Sequence, residues 1–239
     1  MNNETNKYFL PAAVIVAGLF IGGAVMWSNA NPAGPTGTDG NPTAVEVDIK
    51  DVKTDGNPFI GKADAPVTIA FWSDFQCPYC KAFETGGVTG ISTPAALPQI
   101  IQNYVEAGKV KIVFMDFAFL GPDSTTASLY NRSVWNLYPE QYFAWRTAMY
   151  VAQDEEHAGF GNVASIDKLT ATIPGIDAVK VAADVKANTA TYQAMMDSDR
   201  AEAGKVGIQA TPSFVIGKQV IAGAYPYPTF QAAIDLLLK

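Results

Sequence analysis

Cys77 and Cys80 are the only cysteines in a chain of 239 residues, and they enclose Pro78 and Tyr79 in the run Cys77-Pro78-Tyr79-Cys80. A cysteine acts as nucleophile or metal ligand through its thiolate, so its surroundings decide what it does. Ahead of the pair, Val67 to Trp72 is a β-rich apolar run; Ser73, Asp74 and Phe75 then lead into a segment that reads as the start of a helix. Pro78 falls in that helix's first turn, where a missing N–H costs little. This order places Cys77 at a helix mouth, where unpaired N–H groups favour an anion, and Cys80 one turn deeper. Cys77 is therefore expected to be an exposed nucleophile and Cys80 its resolving partner.

Two plainer readings compete. A structural disulfide across so short a loop adds about 2 kcal/mol in the chain-entropy model, against about 4.7 kcal/mol for a 100-residue loop. A metal site normally needs four ligands, and the single histidine, His157, lies in an Asp- and Gly-rich loop where a solvated role is expected. No metal is expected, nor any cofactor beyond the Cys77–Cys80 redox disulfide. The formal charge of −7 lacks the basic stripe that nucleic-acid binding requires, so nucleic acid is excluded as a partner.

The elements that must position the pair follow from the pattern along the chain. Tyr8 to Trp27 carries no charge and is long enough to cross a bilayer, so residues 1–27 read as a transmembrane anchor. A cleaved signal peptide is the rival, because Ser28-Asn29-Ala30 offers a small-x-small site. Either reading exports the rest. Residues 28–57 read as a flexible linker and lead-in, with Ala44 to Lys50 as an edge strand or extended segment and Asp55-Gly56-Asn57-Pro58 as a turn. Residues 58–239 form the globular domain. After Val67–Trp72 and the cysteine helix come an amphipathic stretch, Pro98 to Ala107, and a strand, Val110 to Phe117. From about residue 122 to 205 the apolar spacing is helical, with one helix through Phe143, Trp145, Met149 and Val151 and another over Ala178 to Val185. Ser213–Ile216 and Gln219–Ala222 read as a hairpin across Gly217-Lys218, and a last helix from about Pro228 turns Phe230, Ile234, Leu237 and Leu238 to the sheet.

A strand ending in Phe75-Gln76-Cys77-Pro78-Tyr79-Cys80, then a helical insertion, then Gly207-Ile208-Gln209-Ala210-Thr211-Pro212-Ser213-Phe214-Val215-Ile216, resembles the DsbA-like branch of the thioredoxin superfamily. The resemblance covers about residues 58–239 and implies an α/β thioredoxin-like fold with an inserted all-helical subdomain. It implies that Pro212 is cis and lies beside the cysteines, and that Thr211 offers backbone groups to an extended substrate peptide. Relatives often carry a buried acid six residues before the first cysteine, where this chain has Phe71, and commonly a glycine where it has Ala210. Asp74 is the nearer acid, with a turn or capping role as its plainer reading. Lys81 either lends positive potential to the thiolate or is simply solvated.

The expected activity is thiol-disulfide exchange, with oxidation of cysteine pairs in exported polypeptides placed ahead of reduction or isomerisation. A peptide-binding module with idle cysteines is the alternative from outside enzymology. The resemblance implies unfolded or partly folded thiol-bearing substrates and a quinone-linked membrane partner that reoxidises the protein. The catalytic domain is expected on the extracytoplasmic side of a cell membrane.

Overall fold

The computed structural model describes residues 47–156 and 158–239; the anchor and most of the linker expected from the sequence, and His157, lie outside them. Among the described residues no helix is long and apolar enough to cross a membrane.

Five strands form one sheet in the order β1-β3-β2-β4-β5: β1 Phe59–Ile60, β2 Val67–Ser73, β3 Val110–Asp116, β4 Ser213–Ile216 and β5 Gln219–Ala222. β2 and β3 pair in parallel, with Phe71 opposite Phe114, and the other neighbours are antiparallel. Interior strands covered on both faces carry near-continuous apolar runs, and β2 and β3 are buried along almost their whole length. Seven helices accompany the sheet among the described residues: α1 Pro78–Glu84, α2 Leu97–Ile100, α3 Pro122–Leu137, α4 Tyr142–Ala152, α5 Val163–Thr170, α6 Ala178–Lys205 and α7 Tyr227–Leu237. The α/β fold with a helical insertion is as expected, with α3 to α6 filling the interval between β3 and β4.

Four local expectations change. The lead-in contains a 3₁₀ turn at Ile49–Asp51, because the Asp48 carboxylate caps the Lys50 N–H, while Val47 and Val52 bury against the sheet face carrying Trp72. The expected amphipathic helix of Pro98 to Ala107 is instead α2 followed by a π-helical turn, Ile101–Val105. The helix expected to end at Val185 runs on to Lys205; its buried side there includes Asp199 and Glu202, so polar residues mask the apolar periodicity. Val151 and Leu237 point outward, and α7 packs through Phe230, Ala233 and Ile234.

A buried charge cluster fastens the insertion to the sheet. Arg132 of α3 donates through Nε to Asp116 Oδ2 (2.6 Å) at the end of β3, and through Nη2 to Asp199 of α6. Asp199 also accepts from the Asp116 N–H (2.7 Å) and from Asn57 Nδ2 (3.0 Å), while its carbonyl accepts from Trp72 Nε1 (2.9 Å). Burial pushes the Asp199 carboxyl up to about 6; the Arg132 guanidinium opposes that rise and the Asp116 charge adds to it. Removing one partner of such a pair leaves an uncompensated buried charge. Arg132→Met is expected to cost about 3–5 kcal/mol, read as a lower urea midpoint at unchanged slope, with part of the loss recovered by adding Asp199→Asn.

Candidate active site

β2 passes into α1 through a turn built on Asp74. Its Oδ1 accepts from the Gln76 N–H (2.8 Å), its Oδ2 from the Phe119 and Leu120 N–H groups (2.9 and 3.1 Å), and its carbonyl from the Cys77 N–H (3.1 Å). Asp74 therefore shapes the loop, the plainer of its two readings. Phe71 packs on Phe214 (ring centroids 4.6 Å) and Phe83 (5.0 Å) within the apolar core. That position holds no proton acceptor.

Cys77 is the N-cap of α1 in extended conformation, with Pro78 at the first helical position and no side-chain capping bond. Both cysteines are thiols in this structure. Cys77 Sγ lies 3.4 Å from the Thr211 carbonyl oxygen, and the Thr211–Pro212 peptide is cis. Cys77, Pro78, Tyr79 and Cys80 are thus joined by Thr211, distant in sequence and adjacent in space, with Pro212 next to it in the chain. The expectation of an exposed nucleophile is corrected in degree: Cys77 is only 4% accessible because its sulfur rests against the Thr211 peptide, whereas Tyr79 stands 55% exposed. Cys80 is fully covered, at 0%.

The two sulfurs differ electrostatically. A hydrogen bond from the Cys80 thiol favours the Cys77 anion more than burial disfavours it; the Thr211 hydroxyl and the Cys80 and Tyr79 N–H groups add to the effect, and the Cys77 pKa falls from 9.0 to about 7. The Thr211 carbonyl accepts from the neutral thiol, while the buried, otherwise unpartnered Thr211 hydroxyl serves the anion. Burial, followed by the neighbouring Cys77 sulfur, pushes Cys80 well above its ordinary value. One sulfur is primed for attack, and the other keeps its proton.

The sequence did not single out the side chains by which α4 grips this loop. Gln153, which caps α4, donates through Nε2 to the carbonyls of Phe75 (2.7 Å) and Cys77 (3.1 Å); Tyr150 donates to the Asp74 carbonyl (3.3 Å). Arg146 donates through Nη2 to Glu84 Oε1 (2.5 Å) and Ser73 Oγ (2.8 Å), with its guanidinium 4.0 Å from the Phe114 ring centroid. Glu84 follows Cys80 by one turn of α1, and burial raises its carboxyl to about 7 against the pull of Arg146. With that guanidinium held at hydrogen-bonding distance, the ion pair is the form this geometry serves. Lys81 is not simply solvated, for its Nζ donates to the Gln153 carbonyl (2.6 Å) beyond the end of α4. The available signals were Glu84 at i+4 from Cys80 and the stripe Arg146, Tyr150, Gln153 at i, i+4 and i+7.

A family model described as thioredoxin matches residues 53–236. Disulfide bond formation protein D of Bacillus subtilis is 27% identical over 184 residues, covering 77% of this chain and 78% of the relative. The probable disulfide bond formation protein D of Bacillus anthracis is 25% identical over 201 residues, covering 80% and 86%. The crystal structure of oxidised BdbD from Bacillus subtilis superposes with a TM-score of 0.68 at 25% identity, over 82% of this chain and 98% of that one. DsbA of Chlamydia trachomatis shares the fold, with a TM-score of 0.64 at 19% identity over 78% of this chain and 93% of that one. With a redox-type cysteine pair at the head of α1, a cis-proline loop against it and a helical insertion in the sheet, the chain belongs to the thioredoxin superfamily as a DsbA-like thiol-disulfide oxidoreductase.

Proposed function

We propose that this protein oxidises cysteine pairs in exported polypeptides through a Cys77–Cys80 disulfide. The observation that carries the reading is the placement of the two thiols: Cys77 is the N-cap of α1 with its sulfur 3.4 Å from the Thr211 carbonyl, and Cys80 lies one turn deeper with no accessible surface, an arrangement that lowers the first thiol's pKa to about 7 and raises the second's. Stabilising the reduced form makes a dithiol couple more oxidising, and a low-pKa thiol is the better leaving group.

In the oxidised protein a substrate thiolate attacks Cys77 Sγ, since Cys80 is sealed. The Cys77–Cys80 bond breaks, Cys80 leaves with the electron pair and takes up a proton, and a mixed disulfide joins Cys77 to the substrate. A second substrate thiolate then attacks the substrate's own bonded sulfur. Its disulfide forms and Cys77 departs as a thiolate, so two electrons pass from substrate to protein. In this reading the backbone of Thr211, which adjoins Cys77, pairs with the extended substrate chain, a mode that tolerates many sequences; the support is its carbonyl 3.4 Å from the Cys77 sulfur. Reoxidation falls to a membrane redox partner, which returns the pair to the disulfide. The relatives named for disulfide bond formation and the uncharged Tyr8 to Trp27 segment support a catalytic domain held outside the cytoplasm by an N-terminal anchor.

Three measurements test this reading. Alkylation of the reduced protein by iodoacetamide should modify Cys77 alone, with a rate that rises with pH through a midpoint near 7. About half of Cys77 is then thiolate at pH 7, against a few per cent for an ordinary cysteine. Equilibration with glutathione should give a potential more positive than about −200 mV, and a value near −270 mV, that of thioredoxin, identifies a reductase instead. Cys77→Ser should abolish refolding of a reduced, disulfide-containing substrate, and full activity in that variant leaves only the peptide-binding alternative.

A further inference from the structure

Gln153 stands where the chain leaves α4, with its backbone turned out of helical geometry (φ −54°, ψ 123°), and it is only 5% accessible. One amide nitrogen serves two carbonyls of the cysteine loop, for Nε2 donates to Phe75 (2.7 Å) and to Cys77 (3.1 Å). Both partners only accept, so the two hydrogens of a single NH2 group are used there and the orientation of the amide is fixed. The residue is held from its backbone as well. Its own carbonyl accepts from Lys81 Nζ (2.6 Å), one turn of α1 beyond Cys77. Three hydrogen bonds, all to residues remote in sequence, therefore fix Gln153 against the loop.

Of the two loop carbonyls, that of Cys77 bears on the chemistry. It also accepts from the Cys80 N–H (3.1 Å) and the Lys81 N–H (3.2 Å), the bonds that open α1. Because Pro78 has no N–H, this oxygen is the only hydrogen-bonding group of the Cys77–Pro78 peptide. The tilt of that peptide sets where the following N–H groups point, and those of Tyr79 and Cys80 are among the donors that favour the Cys77 anion. A third donor on the oxygen pins the tilt and draws negative charge away from an atom of the same residue as the sulfur. The disulfide carries no charge at Cys77, so the same bonds do less for the oxidised protein.

We propose that Gln153 is a positioning residue for thiol exchange, which aims the head of α1 at the Cys77 sulfur and thereby favours the reduced protein over the disulfide. The inference rests on the proposed exchange at Cys77 and assigns part of its driving force to a side chain of the insertion. The charged and titratable groups around the loop are Cys80 and Lys81 on α1, Asp74 in the turn before it, the Glu84–Arg146 pair, and the three acids of residues 154–156 beside Pro78. Exchanging Gln153 for another neutral side chain adds and removes none of those charges. A change at Cys77 then reports the lost hydrogen bonds.

Gln153→Met in the whole chain keeps the length of the side chain and removes the donor. The midpoint for iodoacetamide alkylation of Cys77 should rise from near 7 by about half to one unit, so that the thiolate fraction at pH 7 falls about two- to fivefold. At pH 8 the equilibrium with glutathione should shift about three- to fivefold toward the disulfide, and at pH 6, where Cys77 is mostly protonated in both proteins, by less than about 1.5-fold. Tyr130→Phe, which removes a hydrogen bond to Asp167 inside the insertion (2.7 Å), controls for stability: it should lower the urea midpoint and leave the Cys77 titration where it was. In the wild-type chain, NMR of the Gln153 side-chain amide should show both hydrogens protected from exchange, with shifts that follow the Cys77 titration, a result that stands even where Gln153→Met does not fold. An unchanged midpoint in Gln153→Met, an equal shift in Tyr130→Phe, or amide hydrogens that exchange as freely as those of an exposed glutamine overturns the inference. A wild-type midpoint near 9, the ordinary value, counts against the thiol-exchange reading instead, and the difference between Gln153→Met and the wild type still decides the part played by Gln153.

Discussion

The Glu84–Arg146 ion pair is the constraint on which the active site's geometry depends. Both side chains are almost fully buried, one on the helix that carries the cysteines and the other on α4 of the insertion. Separating them would leave two bare charges in a low-dielectric core, so the helices are held as one body. Arg146 also reaches Ser73 at the end of β2, and Gln153 and Tyr150 from the same face of α4 hold the carbonyls of Phe75, Cys77 and Asp74. The insertion therefore serves as a brace that sets where the head of α1 points. Arg132 does the corresponding work at the same end of the sheet, where Asp116 closes β3 opposite Ser73 and the guanidinium joins two carboxylates from separate elements.

Held in this way, two chemically identical thiols acquire opposite characters. Cys77 has N–H and O–H donors converging on it, and Cys80 is surrounded by the core and by its partner's charge. Pushing the pKa values of neighbouring groups apart is a general means of giving each a separate role. The aromatic packing of Phe71, Phe83, Phe214 and Phe230 makes the floor of the site apolar, while Asp74 is spent on loop N–H groups and Glu84, on α1 itself, is already paired with an arginine. This chain thus departs from the pattern of an acid below the cysteines and places its charge behind them.

Local sequence made several things legible. The three-residue spacing of Cys77 and Cys80, Pro78 at the helix start, the apolar runs of β2 and β3 and the Gly217-Lys218 turn all involve residues near one another in the chain, whose conformation follows from steric and hydrogen-bonding rules of short range. The recurrence of Thr211-Pro212 at the right separation carried the fold. The same logic failed in the last part of α6, where the buried face includes Asp199 and Glu202, and for Val151, which periodicity had turned inward.

By itself the sequence determined which atoms are available: one pair of thiols, a helix to seat them and an acidic chain. Tertiary structure alone decided their company. Glu84 and Arg146 meet across 62 residues, and Cys77 meets the Thr211 carbonyl across 134. Hydrophobic periodicity records which side of an element is covered, but not which polar group on another element will lie opposite it. A buried charge has the same letter in the sequence as an exposed one, and only packing tells them apart.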